Sequence, residues 1–281
     1  MYDIIGDIHG HADELELLLA KLDYQRIDGV WQHAERTLIS VGDLIDRGPQ
    51  QKRTVDILKS MAEHGAAHVI QGNHEFNAVA FATVDEQGEP LRPHTKKNQE
   101  QHQKFLLVAQ SDPAWYQQTI EWFKSLPILL ELADFRVVHA CWHPESIAVL
   151  KQYANDNFVL HEDAWIAANQ DGHPLYTALE VLMKGWEIQL PDGCSFLDFA
   201  NHPRNKIRTR WWLQHAADYQ QFAISVPDIT MLPKKQVDNK LMVGYDNNKP
   251  LFIGHYWLEG IPCCLSEHIA CLDWSVTERG L

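Results

Sequence analysis

One phrase of sequence recurs along the chain and constrains its architecture more than any other feature. "YDIIGD" (2–7), "TLISVGD" (37–43), "AHVIQGN" (67–73), "FRVVHA" (135–140) and "PLFIGH" (250–255) each set a short apolar, β-branched run before an Asp, Asn or His. Runs of this length, bounded by turn residues, fit strands buried on both faces. Between the first three lie helical periods. Leu15, Leu18, Leu19 and Leu22 recur at i, i+3, i+4 and i+7, and Val55, Leu58, Met61 and Ala62 recur similarly after Pro49. The first 75 residues therefore predict β-α-β-α-β, the alternation of an α/β layered unit.

The middle of the chain reads differently. In "DPAWYQQTIEWFKSLP" (112–127), Asp112 is a good N-cap and Pro113 a good first helical residue. Trp115, Thr119, Ile120 and Phe123 make the inner face, and Pro127 stops the helix. "HPLYTALEVLMK" (173–184) repeats the plan with Leu175, Leu179, Leu182 and Met183 on one side, whereas residues 141–172 show no clear period. No Pro/Gly/Ser linker and no repeat of solenoid length interrupts the chain. The expectation is a single domain over residues 1–281, with helical insertions at about 78–130 and 145–205 beside the sheet.

Charge and composition narrow the partners. A net charge of −14, from 24 basic and 38 acidic residues, repels phosphate backbones and argues against nucleic acid. Apolar runs such as "PILLELA" are far shorter than a membrane span, which argues against a membrane partner. "MYDIIGDIHG" enters a strand at once, without a secretory leader. The five cysteines form no C-x-x-C pair, and an odd number with two adjacent argues against a disulfide framework. These features predict a cytoplasmic enzyme or binding protein of bacterial type, its thiols reduced and mostly buried.

In open α/β sheets the ligand site lies beyond the carboxyl ends of the strands. Five strands ending in oxygen or nitrogen ligands therefore point one set of ligands at one place. Asp7 and His9 sit two apart, so on an extended backbone both face the same way. Asp43, Asn73, His139 and His255 complete a set of six. Carboxylate, imidazole and amide together suit first-row divalent metals. Six ligands are too many for one catalytic ion that keeps open positions; two ions sharing Asp43 use them, and such a pair, about 3.5–4 Å apart, clamps a phosphoryl centre. Singly, each residue has an ordinary explanation: a helix N-cap for either Asp, a satisfied buried imidazole for either His, a turn for Asn73. Their coincidence at five strand ends favours metal.

"GDLIDRGP" (42–49) and "GNHEF" (72–76) add groups that metal binding alone does not require. Arg47 can fork two hydrogen bonds to phosphate oxygens, the alternative being a surface ion pair with Asp46. His74 suits a general acid for a leaving alkoxide, and Asp46 suits a partner that fixes its tautomer. Glu75 supports the turn. In "RTRWW" (208–212), Arg208 and Arg210 offer a second phosphate clamp, or else an exposed salt-bridged strand. The ten tryptophans read as core and cap packing. His143 is a reserve ligand; His11, His94, His102, His161, His202 and His215 are assigned to the surface or to local bonding.

Together "GDIHG", "GDLIDRGP" and "GNHE", with spacings of 36 and 30 residues between Asp7, Asp43 and Asn73, resemble the phosphoprotein-phosphatase family of calcineurin-like metallophosphoesterases. "VVHA" and "FIGH" extend the likeness to residue 255. The resemblance implies an α/β fold: a two-layer β-sandwich flanked by helices. It implies a dinuclear centre with Asp7 and His9 on one metal, Asn73, His139 and His255 on the other, and Asp43 between them. Mn2+ is the first candidate for both ions, before Fe, Zn, Co or Ni. His74 would be the proton donor, Asp46 its partner and Arg47 a phosphate clamp. "NKIRTRWW" (205–212) is similar to the Thr-Arg-x-Arg segment of symmetrical diadenosine tetraphosphatases, yet those enzymes typically lack the Asp at position 46. Bacterial and phage-type protein phosphatases keep it. The chain ends on "IACLDWSVTERGL", where relatives usually run on through another strand.

The function expected is a phosphomonoesterase or serine/threonine protein phosphatase, working by in-line attack of a hydroxide generated on the metal pair. The alternative is a symmetrical diadenosine tetraphosphatase. Substrates of either kind are phosphorylated: a phosphoprotein, a small phosphoester or a dinucleoside polyphosphate. A non-catalytic scaffold would lack ligands, and none of the six is missing. A nuclease would carry a basic surface and no Asp-Arg-Gly after Asp43, and this chain differs on both counts.

Overall fold

Strands buried on both faces need a layer above and a layer below, and the computed structural model, which describes residues 1–198 and 201–275, supplies both. Tyr2–Ile5, Thr37–Ser40 and Ala67–Val69 form a parallel sheet with Thr37–Ser40 central, Ile5 opposite Ser40 and Leu38 opposite Ala67. Arg136–Val138 and Leu251–Ile253 pair in parallel in a second sheet, edged by Ile269–Cys271 in parallel and by Leu129–Glu131 antiparallel. Between the sheets Ile39, Val41, Ile70 and Val137 are completely buried, with Ile4, Phe135, Phe252 and Leu272 packed around them. Burying one such aliphatic side chain contributes about 1.5–3 kcal/mol. The architecture is the two-layer sandwich implied by the resemblance.

Helices cover the outer faces on the residues their periods predict. Leu15 and Leu19 of Ala12–Lys21, and Val55, Leu58 and Met61 of Gln51–Glu63, are fully buried, with Leu18, Leu22 and Ala62 partly so. In Pro113–Lys124, Asp112 caps the N-terminus by accepting from the Trp115 backbone N–H at 3.1 Å, and Trp115, Thr119, Ile120 and Phe123 face inward. Pro174–Lys184 buries Leu175, Leu179, Leu182 and Met183 and ends at Gly185, whose φ of 91° suits glycine.

The β-α-β-α-β reading of the first 75 residues omits a hairpin, Gln25–Ile27 with Val30–Gln32. Its Asp28-Gly29 turn has both φ values positive, 51° and 86°, as two-residue hairpins favour. Residues 141–172, without a period, hold two short helices, Pro144–Leu150 and Ala164–Asn169. The helical expectation for 145–205 holds only to Lys184. Beyond it Glu187–Gln189 pairs antiparallel with Lys206–Thr209, which pairs with Ala223–Ile224, around a small core that includes Ile188, Phe196, Ile207 and Phe222. The period there is two: Ile207 and Thr209 are buried, whereas Lys206 and Arg210 are exposed. Phe199 and Ala200 of that stretch, and residues 276–281 of the expected domain, lie outside the described residues. The thiols are not mostly buried: Cys141 and Cys271 are, Cys194 is intermediate, and Cys263 and Cys264 are exposed. Among the described residues no helix is long and apolar enough to cross a membrane.

Candidate metal centre

The strands stop before their ligands, and the turns that follow do the aiming. Tyr2–Ile5 ends two residues before Asp7, and His9 has a φ of 49°, so Asp7 and His9 do not share the face of an extended strand. The turn brings them together instead, with His9 Nε2 4.0 Å from Asp7 Oδ2. Asp43, Asp46, Arg47 and His255 are also left-handed, at 54°, 69°, 66° and 72°. Such conformations cost roughly 1–3 kcal/mol each for residues with a Cβ and persist only where neighbours enforce them. Glu75 does so for Asp43: its carboxylate accepts from the backbone N–H of Asp43 and Leu44 at 2.8 Å and of Gly72 at 3.0 Å. Gln51 does so for Asp46, accepting from its N–H at 2.6 Å and donating to Gly48 O at 2.8 Å. Close approach accounts for Gly42, where a Cβ would run into the Gly72 backbone, and for Gly254, where it would meet the Asp7 carboxylate.

Two groups of possible ligands result, and they share Asp43: His9, Asp43 and His74, and Asp43, His139 and His255, each with ligand atoms within 4.8 Å of one another. His139 Nε2 lies 3.3 Å and His9 Nε2 3.8 Å from Asp43 Oδ2. His9 Nδ1 donates to Ile45 O at 2.9 Å and His139 Nδ1 to Val41 O at 2.7 Å. Those bonds hold a proton on each Nδ1 and turn each Nε2 toward the centre. Nε2 of His9, His139 and His255, and Oδ1 of Asn73, are all buried without a hydrogen-bond partner. Leaving such atoms unsatisfied costs about 1–3 kcal/mol each, and four gathered at one place make a donor set that a divalent cation satisfies. Asp7 completes it, buried and accepting from the His255 backbone N–H at 3.2 Å. The residues present fit a divalent metal.

The protein's own charges set the protonation states. Burial raises Asp7, and Asp273 raises it further. Burial also opposes ionisation of Asp43, but the charges of His139 and His74 outweigh it and hold the carboxyl well below its usual range. Burial and the charge of His74 lower His9 to about 3, and burial, Arg208 and His139 lower His255, so both stay neutral. His139 is the exception. Burial lowers it, yet Asp43 beside it raises it to about 10. For His74, burial is likewise outweighed, by the Asp43 charge and by a 2.6 Å hydrogen bond from Nδ1 to Asp46 Oδ2, so its net shift is upward.

The remaining sequence candidates divide. Arg47 is not paired with Asp46; its guanidinium lies 3.5 Å above the Trp257 ring. Trp257 is 43% exposed, so at least one tryptophan serves the rim of the site and not the core. Arg208 is half-buried with Nε buried and unpartnered, and its charge reaches His255. Arg210 is exposed, its backbone N–H donating to Phe222 O at 2.7 Å. His143 stands outside both ligand groups: it caps Pro144–Leu150 by accepting from the Ser146 N–H at 3.3 Å and stacks on Trp186. His102 is not a surface residue. It is 5% exposed, and its Nδ1 donates to Asp46 Oδ1 at 2.8 Å. Nothing in "NQEQHQKF" (98–105) marks it. Asp273 was legible: "HIACLD" (268–273) is a further apolar run ending in Asp, after the strand Ile269–Cys271. Its buried carboxylate accepts from the Trp257 backbone N–H at 2.7 Å and fixes the turn after His255.

The chain is 32% identical over 178 residues to the asymmetrical bis(5'-nucleosyl)-tetraphosphatase PrpE of Bacillus velezensis, covering 62% of this chain and 69% of that one. It is 28% identical over 165 residues to the symmetrical bis(5'-nucleosyl)-tetraphosphatase of Vibrio cholerae, covering 58% of this chain and 53% of that one. Its fold is similar to the cold-active protein-tyrosine phosphatase of a psychrophilic Shewanella species, at 17% identity and a TM-score of 0.54, over 99% of this chain and 72% of that one. The profile of the calcineurin-like phosphoesterases matches residues 2–189. The chain belongs to that family and is a hydrolase of phosphate ester or anhydride bonds.

Proposed function

We propose that the protein hydrolyses dinucleoside polyphosphates, the alternative and not the main expectation from its sequence. The observation that carries this reading is Arg208: a half-buried guanidinium with Nε unpartnered, its charge felt at His255, in addition to Arg47 over Trp257. A second cation whose charge reaches the candidate ligand His255 would suit a substrate with more than one phosphate, and the two tetraphosphatase relatives support this reading.

Asp7, His9 and Asp43 would hold one divalent ion and Asp43, Asn73, His139 and His255 a second, with Mn2+ the first candidate for both. Bound there, the ions polarise the phosphoryl oxygens and lower the pKa of water from about 15.7 toward about 7. Arg47 forks two hydrogen bonds to oxygens of the reacting phosphate, its plane set by Trp257. Arg208 takes the neighbouring phosphate. His74 is assigned as the donor: its Nδ1 is held by Asp46 Oδ2 at 2.6 Å, and the Asp43 and Asp46 charges favour the form that carries a proton on Nε2. It gives the Nε2 proton to the departing oxygen while Asp46 holds Nδ1.

That donor favours a second reading. A departing alkoxide needs a proton more than a departing nucleotide phosphate does, so a built acid suits serine or threonine phosphate esters, the main expectation from the sequence. One panel separates the two: Mn2+-loaded protein on diadenosine tetraphosphate, a phosphopeptide and an aryl phosphate, comparing kcat/KM. A value on the tetraphosphate at least about tenfold above the others is expected, a difference of about 1.4 kcal/mol. A like preference for the phosphopeptide overturns the dinucleotide reading. The products distinguish symmetrical cleavage, two ADP, from asymmetrical cleavage, ATP and AMP.

A further inference from the structure

Asp46 is held from two sides. Oδ2 meets His74 Nδ1 at 2.6 Å and Oδ1 meets His102 Nδ1 at 2.8 Å, so one buried carboxylate spans two imidazoles from distant parts of the chain. A carboxylate with a single partner turns readily, because the terminal χ torsion of Asp is broad. A second donor on the other oxygen removes that freedom. The Asp46 backbone is already fixed at a φ of 69° by the Gln51 bond, so the second imidazole constrains what remained loose.

His102 is equipped for little else. It sits at the junction of helices Lys96–Gln101 and Gln103–Ser111. Its ring lies 5.6 Å from that of Phe81 and 5.0 Å from that of Phe105, an apolar cage. Nε2 is buried there without a hydrogen-bond partner, a cost a purely space-filling side chain would avoid. We propose that His102 is a positioning residue for proton transfer: by holding Oδ1 of Asp46 it aims Oδ2 at His74 and ties the proton donor to the helical segment 96–111. This rests on the reading of His74 as the acid.

Three variants of the Mn2+-loaded enzyme test it on aryl phosphates with good and poor leaving groups. His102→Leu removes the donor, His102→Asn keeps an amide N–H near the place of Nδ1, and His74→Asn calibrates loss of the acid. His102→Leu is expected to lower kcat about tenfold on phenyl phosphate and by much less on nitrophenyl phosphates, as loss of a partner's orientation does. His102→Asn is expected to recover most of that loss, with metal content equal to the parent's in all three. Equal losses across leaving groups, or an Asn variant no better than Leu, make His102 a structural residue only and overturn the proposal. If His74→Asn is selective and His102→Leu is not, the proposal alone fails. If His74→Asn shows no selectivity, the acid reading fails and the proposal with it. Should His102→Leu not fold, His102→Gln, whose amide is displaced along the chain, takes its place.

Discussion

The Glu75 carboxylate lies 2.8 Å from the backbone nitrogen of Asp43 and fixes the loop that the shared carboxylate stands on. The same group accepts from Leu44 and Gly72, so one side chain joins the turns after the central strand and after Ala67–Val69. Glu75→Gln keeps one acceptor and aims a donor at buried N–H groups. At pH 8, where the Glu75 carboxyl is charged, it should destabilise the protein by about 1.5–3 kcal/mol, the worth of a charge-assisted bond. Urea unfolding reads this directly, and an unchanged midpoint would remove Glu75 from the role.

Asp43 belongs to both ligand groups, His9 to the first only and His255 to the second only. Elemental analysis after Mn2+ loading should therefore give about two ions per chain for the parent, about one for His9→Ala or His255→Ala, and fewer than one for Asp43→Ala. An Asp43→Ala variant that retains two ions would show that the carboxylate is not shared.

Protonation makes metal and pH interdependent. In chelated protein Glu75 is raised to about 7, by burial and by Asp43, and His139 to about 10, by Asp43 against burial. Each holds a proton in the folded state that the unfolded chain gives up, near 4.5 for Glu and 6.5 for His. Their stabilising contributions are full below those values and lost as pH rises through about 7 and about 10. Asp43 and Asp46 act oppositely: both are lowered in the fold, so their contribution is present above the ordinary 3.8 and lost on acidification. Thermal midpoints of chelated protein should thus fall from pH 6 to pH 10, and fall again toward pH 3. A cation must also displace the His139 proton, so Mn2+ affinity should rise with pH, by up to about tenfold per unit for each proton released. Affinity independent of pH between 6 and 9 would contradict this protonation state.

The buried strands and the gathering of most candidate ligands could be read from one repeated phrase because both follow from local chemistry, whereas the sandwich came with the family resemblance. An apolar run specifies a buried strand, and the polar residue that ends it specifies where ligands gather. The inner face of Pro113–Lys124 followed from its period for the same reason. What escaped depends on the fold returning on itself. His102 meets Asp46 across 56 residues, from a polar stretch whose composition predicts exposure. The left-handed turns at His9 and Asp43 are imposed by Glu75 and its neighbours against the residues' own preference. The sheet of Lys206–Thr209 escaped for the same reason: its strands are only two to four residues long, and its partners Glu187–Gln189 and Ala223–Ile224 lie well apart in the chain.

Arg208 and Arg210 differ in setting although they share a motif. The strand pleat puts both on one side, but Arg208 pairs with Glu187 and Ile224 inside its small sheet, and Arg210 lies just beyond the strand end. Arg208 is half-buried and its charge reaches His255, whereas Arg210 is exposed. A forked guanidinium–phosphate contact is charge-assisted, and its loss costs roughly 1.5–3 kcal/mol, or about ten- to a hundredfold. Arg208→Ala should therefore lower kcat/KM on diadenosine tetraphosphate by about that factor and on an aryl monoester by much less, since the monoester presents a single phosphoryl group to Arg47. Arg210→Ala should change neither by more than about twofold, as exposed single charges seldom do. Arg208→Lys should lose less than Arg208→Ala but not match the parent, because an ammonium keeps the charge without the fork. Equal losses on both substrates for Arg208→Ala would leave the second phosphate without a binding partner and return the site to monoester chemistry.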